Sequence, residues 1–356
     1  MNISRAITFT AGLLLLIFFN ACQYPVDSYE LPNAQKFMVI DAQLTPKFGK
    51  VIVTYTITGV TALGGYNLQS PSNVTAYVLD SHGNRTNFVN TDGTPDTLFH
   101  GTIGETYQLF VTADGRTYQS DPETMRACPA LDSVNAIYER REYLDPTDIN
   151  YDGFDVYAQL TDVPGQKDYY QWDWIHYYRQ ASCGKAFQMG MYVLLPCLPI
   201  HCWGIAYNTK VVVGTDALRD GKAIAQNVVR VPLAIPPNKY YLRVEQRAIT
   251  PTVYNYLKSV ETQTQSVGTQ FDVPAQTRFS PNVHNVSDPS EKILGVFSVF
   301  SYQRKIIYIN MLQPLPGNPE VKIEDDPTPF TQDPFASAPC TEGLYRTQIR
   351  PDGWED

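Results

Sequence analysis

From Phe37 onward the apolar residues recur mainly at every second position, a spacing that admits β-strands and little else. The clearest case is the run from Val51 to Thr58. Val51, Val53, Tyr55 and Ile57 fall on one face of an extended chain, and Thr54, Thr56 and Thr58 fall on the other. Val74, Ala76 and Val78 alternate before a turn at Asp80 to Gly83. Tyr107, Leu109 and Val111 alternate before Asp114-Gly115, a dipeptide suited to a two-residue hairpin because both residues tolerate positive φ. Strands punctuated in this way predict a small Ig-like (or carboxypeptidase-regulatory-like) β-sandwich over residues 36–125.

A second β-rich block is expected over 130–312. Phe154, Val156, Ala158 and Leu160 alternate after Asp152-Gly153, and Tyr169 to Tyr178 form an aromatic strand. Further strands are expected at 209–213, 227–233, 239–247, 293–301 and 305–311. One helix interrupts them near 251–267: Thr250 can cap it, Pro251 suits its first position, Val253, Leu257 and Val260 share a face, and Gly268 can end it. Residues 313–356 hold 8 of the 26 prolines together with the acidic run Glu324 to Asp326, which predicts an extended, solvated tail. The expected fold is therefore mainly β, with two consecutive Ig-like sandwiches, one helix inserted in the second, and a Pro-rich C-terminal tail.

The first 21 residues contain Arg5 as their one charge and run through the apolar stretch Ala11 to Phe19 into Asn20-Ala21-Cys22. That length and its abrupt end suit a secretory signal and fall short of a membrane span. A small residue followed directly by cysteine resembles the bacterial lipobox, so Cys22 is expected to be acylated and to begin the mature chain. Phe19 stands where Leu is usual. Residues 22–35 read as a polar tether, and Asp27 and Glu30 weakly resemble the surface-export signals of Bacteroidetes lipoproteins. The chain carries 36 acidic against 27 basic residues, a net charge of −9, and without residues 1–21 the balance is 26 basic against 36 acidic, or −10. Such a body argues against nucleic-acid binding and against a polybasic membrane patch.

Sequence motifs for catalysis are absent: no G-x-S-x-G elbow, H-E-x-x-H, Walker loop or G-x-G-x-x-G occurs. His82, His100, His176, His201 and His284 lie in unrelated contexts. Asp148, Asn150 and Asp152 with Gly153 reproduce the first half of a calcium loop, with Asp155 (or Asp145) as a further ligand. Position 12 would be Gln159, which cannot supply the bidentate carboxylate, and an Asx-rich turn launching the strand at Phe154 explains the same residues. Calcium is the one cofactor considered, and no other metal is expected. Beyond Cys22, five cysteines remain, an odd number in an oxidising compartment. Cys183–Cys202 is the favoured pair, Cys128–Cys340 a second, and one thiol should be left over. Zinc at Cys183, Cys197, His201 and Cys202 lacks the usual C-x-x-C spacing. Trp172 and Trp174 share a face with Tyr170 and Tyr178, which would suit a sugar-stacking platform but equally a core strand, the commoner use of such residues.

Several stretches together resemble a known family, the Bacteroidetes lipoproteins grouped as domain of unknown function 4249. They are Cys22, Gly115 to Thr124, Asp132-Ser133, Asp152-Gly153, Tyr169-Tyr170 with Trp172, and Cys202-Trp203. The most specific stretch runs from Tyr254 to Leu257 through Gly268, Phe271-Asp272, Pro274, Asn285 to Pro289 and Leu294 to Ser298. The end departs from the family pattern, with Cys340 alone and Pro351-Asp352-Gly353-Trp354 in place of two close cysteines and Pro-Asp-Phe-Trp. The resemblance implies an accessory lipoprotein commonly encoded beside TonB-dependent transporters, and it carries no catalytic residue.

The expected function is binding at the outer-membrane surface, through a lipid anchor at Cys22 and as partner of a TonB-dependent transporter. The alternative is a structural or adhesive surface protein with sandwiches as spacers. A hydrolase would require a concave polar cleft with a shifted carboxylate or histidine.

Overall fold

A computed structural model describes residues 28–30, 36–56, 59–61, 69–140, 152–179, 185–188, 191–194, 202–232, 239–265, 278–311, 340 and 342–355. Its architecture is mainly β, with antiparallel-rich sheets and one helix among the described residues. The alternation read from the sequence decides which side chains are buried. In the strand Met38–Leu44, Met38, Ile40, Ala42 and Leu44 point inward. Thr45 closes the turn into Gly49–Tyr55, its hydroxyl oxygen accepting from the Lys47 and Phe48 amides. Thr106–Ala113 pairs with Thr75–Asp80 on one side and Arg116–Ser120 on the other. The hairpin between Ala113 and Arg116 turns at Asp114 and Gly115, both at positive φ (50° and 73°). Val51, Val53, Val78, Leu109, Val111 and Tyr118 fill the core of this first unit.

That core is completed by residues from much later in the chain. Val283–Asn285 pairs with Arg116–Ser120, while Ile293–Leu294 and Phe297–Val299 lie parallel to Met38–Leu44. Val283, Ile293, Phe297 and Val299 are buried in the same cluster as Ile40 and Leu109. The expected second block running unbroken from 130 to 312 is therefore corrected: residues 280–300 belong to the first unit. Strand propensity alone cannot say which sheet a strand joins, because either core would accept Val, Ile and Phe.

The second unit has a three-stranded sheet, in the order Leu131–Arg140, Asp152–Thr161, Ala223–Pro232. Its larger sheet runs Ser301–Asn310, Lys239–Ala248, Tyr169–Arg179, Trp203–Tyr207, Arg346–Thr347, with Val212–Thr215 also paired to Tyr169–Arg179. Val156, Leu160, Val228 and Val231 from the first sheet share one core with Tyr170, Trp172, Leu242, Val244 and Ile309 from the second. The helix Pro251–Gln265 starts where expected. Thr250 accepts from the Val253 amide through its hydroxyl and from the Tyr254 amide through its carbonyl. Ile249, Val253, Val296 and Phe300 form a third cluster where the units meet. No described helix is long and apolar enough to cross a membrane.

Two further expectations are corrected. Cys202 is bonded to Cys340 across a sequence separation of 138, which replaces both the Cys183–Cys202 and the Cys128–Cys340 pairings. Cys183 and Cys197 lie outside the described residues. Cys128 is a free thiol whose Sγ faces the Gln246 carbonyl at 3.4 Å, and burial pushes its pKa up to about 11. Gln246 pairs with Trp172 while Trp203, beside Cys202, pairs with Arg179 on the same strand. The seven steps from Trp172 to Arg179 span about 23 Å at ~3.3 Å each, too far for Cys128 to reach Cys340.

The end of the Pro-rich segment is packed, not solvated. Trp354 rests against Trp203 and Tyr241, with ring centroids 6.1 and 5.7 Å away, and Pro351 is buried. Tyr241 and Tyr308 donate to the Asp352 and Gly353 carbonyls.

Gly295 is the tightest point of the interleaving. It sits at φ +94°, and a Cβ there would lie 2.2 Å from the Ile40 carbonyl oxygen. A backbone atom cannot rotate away as a side chain can. Gly295→Ala is expected to cost more than about 3 kcal/mol, from positive-φ strain together with lost parallel pairing. Chemical denaturation with circular dichroism checks this.

Candidate functional site

Most of the expected site residues have structural roles or lie outside the described residues. Cys22, Asp145, Asp148 and Asn150 are among the latter. The backbone of Asp152 pairs with Arg140 at the start of its strand. The fourth calcium candidate is corrected: Asp155 is buried and its Oδ1 lies 2.9 Å from Arg230 Nη1, so its charge is already neutralised inside the protein. The aromatic platform is likewise corrected. Trp172 is 1% exposed and donates from Nε1 to Gln246 Oε1, and Trp174 packs half-buried on the same core. A core position was the commoner reading of these rings, and the facing sheet is what buries them. Cys202, bonded to Cys340, has no thiolate to offer zinc.

A different group of acids converges. Asp162 follows the strand Asp152–Thr161, Asp168 precedes Tyr169–Arg179, and Asp216 follows Val212–Thr215. Three strand ends thus deliver three carboxylates whose oxygens lie within 4.8 Å of one another. Asp162 is held from both sides: the Tyr170 hydroxyl donates to Oδ1 at 2.6 Å, and the Gly221 amide donates to Oδ2 at 3.0 Å. Asp216, only 1% exposed, accepts from the Thr215 hydroxyl. Asp168 is half-buried, and Arg126 lies 3.9 Å away. Burial, and then the charges of Asp162 and Asp216, raise the Asp168 pKa above the usual carboxylate range, while Arg126 pulls it back. Burial, together with donation to Asp162, likewise raises the Tyr170 pKa, so its hydroxyl remains a proton donor. Hard oxygen ligands in this arrangement suit a divalent cation.

Asp168 also forms the wall of a cleft of about 550 Å³ between the units. Ile103, Gly104 and Thr124 to Ala127 line one side, and Gln166 to Asp168 the other. Arg126 crosses it, donating to the Lys167 carbonyl at 3.0 Å. Sequence reading missed this group because Asp162, Asp168 and Asp216 follow no motif spacing. The available signal was weaker: Asp162 opens the turn Asp-Val-Pro-Gly165 and Asp216 the turn ending Asp220-Gly221, each directly after a strand.

A family model described as "Domain of unknown function (DUF4249)" matches residues 25–306. That match takes in both units, including the returning segment 280–300. No curated protein matches the chain.

Because the raised acid is more easily protonated in the folded state than in the unfolded chain, Asp168 favours folding below its unfolded pKa. That contribution is lost as pH rises through the higher folded pKa. Asp168→Asn should therefore raise the Tm at pH 7 relative to wild type and leave it little changed at pH 4. Thermal melts at the two pH values check the sign.

Proposed function

The chain belongs to the DUF4249 family, and from that membership we propose that it is a lipid-anchored outer-membrane surface protein that acts by binding, as an accessory of a TonB-dependent transporter. The observation that carries this reading is the N-terminal sequence itself: an apolar segment ending in Ala21-Cys22, then a short polar tether, then a β-rich body. A tethered binder needs little intrinsic affinity, because confinement at the membrane raises its effective concentration for a membrane partner. An acidic body supports lipid, not surface charge, as the anchor.

We infer that each unit is an Ig-like sandwich. Inward-facing side chains from two sheets meeting in one core support this, as Val156 and Leu160 do opposite Trp172 and Val244. Such a frame presents loops and strand ends at its edges, where the inter-unit cleft also lies. Asp168 is a shifted carboxylate in that cleft, as a hydrolase would need, but no histidine, cysteine or serine lines the cleft among the described residues and both oxygens of Asp162 are engaged as acceptors, so binding is preferred to hydrolysis.

Metabolic labelling with palmitate should mark the wild-type chain and not Cys22→Ala. Gentle detergent extraction should co-purify a TonB-dependent transporter with the wild type, and Cys22→Ala should reduce that yield several-fold. A labelled protein that purifies alone, and whose deletion impairs attachment, would favour the spacer reading instead.

A further inference from the structure

A second cavity lies on the first unit, away from the carboxylates. It measures about 430 Å³ and is lined by Lys36, Phe37, Met38, Tyr55, Arg116, Glu291 and Lys292. On a chain with a net charge of −9, three cations against one acid is a local reversal of sign.

The acid is already engaged. Glu291 Oε1 accepts from Arg116 Nη1 at 3.0 Å and from the Tyr118 hydroxyl at 3.3 Å, while Oε2 accepts from Asn285 Nδ2. Asp114, just beyond the lining, accepts from the Tyr55 hydroxyl and from the Ser72 amide and hydroxyl at 2.6 and 2.7 Å. The hydrogen bonds from Tyr55 and Ser72 hold the Asp114 pKa down to about 2. Burial and that same bond push the Tyr55 pKa up to about 12, so near neutrality Tyr55 is uncharged while Asp114 is an anion whose charge Lys36 feels.

The two lysines are placed differently. Lys36 Nζ lies 3.7 Å from the centroid of the Tyr55 ring, and Lys292 Nζ 4.9 Å from that of Phe279. Neither makes an ion pair with a described carboxylate. Phe37 and Phe279 meet edge to face at 5.5 Å, and Met38 is buried beneath. The cavity therefore pairs an apolar, ring-lined floor with two ammonium groups that form no ion pair with a described carboxylate: Lys36 feels the charge of Asp114, whose oxygens are held by Tyr55 and Ser72, and Lys292 lies over Phe279. Its volume lies in the range of small-molecule sites.

We propose that this pocket binds a small organic oxyanion, a carboxylate or phosphate carried on a ring, with the ring on Phe37 and Tyr55 and the anion between Lys36 and Lys292. An anion there would give both ammonium groups an ion-pair partner, and its ring would cover the apolar floor. The proposal gives the accessory reading a substrate class and rests on that reading only for its biological use. Its residues are independent of the inter-unit cleft.

Calorimetric titration of the full chain in uncharged detergent tests it, with benzoate and phenyl phosphate as separate probes. One or both should bind saturably at one site, phenol should fail to compete, and added salt should weaken the binding. The double variant Lys36→Ala, Lys292→Ala should melt like wild type, because Lys36 is exposed and neither lysine forms an ion pair, yet bind at least about tenfold more weakly. Benzoate alone binding would select a carboxylate, and phenyl phosphate alone a phosphate. Binding of phenol or of inorganic phosphate as tight as that of the ring anion would overturn the proposal, as would unchanged binding in the double variant or saturation by neither anion. Transporter co-purification that persists in the double variant would show that the pocket and the partner contact are separate functions.

Discussion

The return of residues 280–300 into the first unit is the constraint on which the rest of the structure depends. Phe297–Val299 lies parallel to Met38–Leu44 and, with Val283 and Ile293, carries Phe297 and Val299 into a core whose other buried residues all precede 126. A buried polar node holds the return in place. Asn282 Nδ2 donates to Glu123 Oε1 and to the Phe297 carbonyl, each at 2.8 Å, and its Oδ1 accepts from the Phe297 amide. Leaving one such buried partner unsatisfied costs about 1–3 kcal/mol. Thr250 also favours the charged form of Glu123, so the residue that caps the helix and the residues that anchor the return act on one carboxylate. Ser301–Asn310 follows immediately and becomes a strand of the second unit's larger sheet. The two units are thus interleaved along the chain, not strung as beads.

The same junction collects titratable groups whose shifts oppose one another. Glu245 is held below its ordinary pKa because the favourable charges of Arg247 and Arg304 outweigh its burial. Arg247 bonds Glu245 and Asp173 at 2.7 Å each, and Arg304 bonds Glu245 at 2.6 Å. Glu245 thus contributes stability above its unfolded pKa, which is lost as pH falls through the lower folded value. Burial raises Asp41 and Glu123, whose contributions run the other way. The carboxylates Asp162, Asp168 and Asp216 extend this charge-dense seam to the cleft, where an arriving cation or a cationic group of a partner would meet them.

Much of the local structure was legible because it depends on neighbours in sequence. The alternation at Val51 and Val53, the hairpin at Asp114-Gly115 and the helix opening at Thr250-Pro251 follow from side-chain period, φ preference and capping. What stayed hidden depends on distant partners. Gly295 looks like any loop glycine until Ile40 lies against it. Trp354 follows a Pro-rich stretch that reads as solvated, yet Trp203 and Tyr241 provide its seat. Cys340 finds Cys202 because Arg346–Thr347 pairs with Trp203–Tyr207, a register invisible in cysteine spacing. The carboxylate group and the basic pocket likewise assemble only from strand ends and from the returned segment that supplies Glu291 and Lys292.

Interleaving has a direct thermodynamic consequence: neither unit can lose its core without removing strands or cap contacts from the other. Differential scanning calorimetry of the chain with its disulfide intact measures this. An interleaved chain should give a single transition whose calorimetric enthalpy equals its van't Hoff enthalpy. Two separable transitions, one surviving when the other is complete, would contradict it.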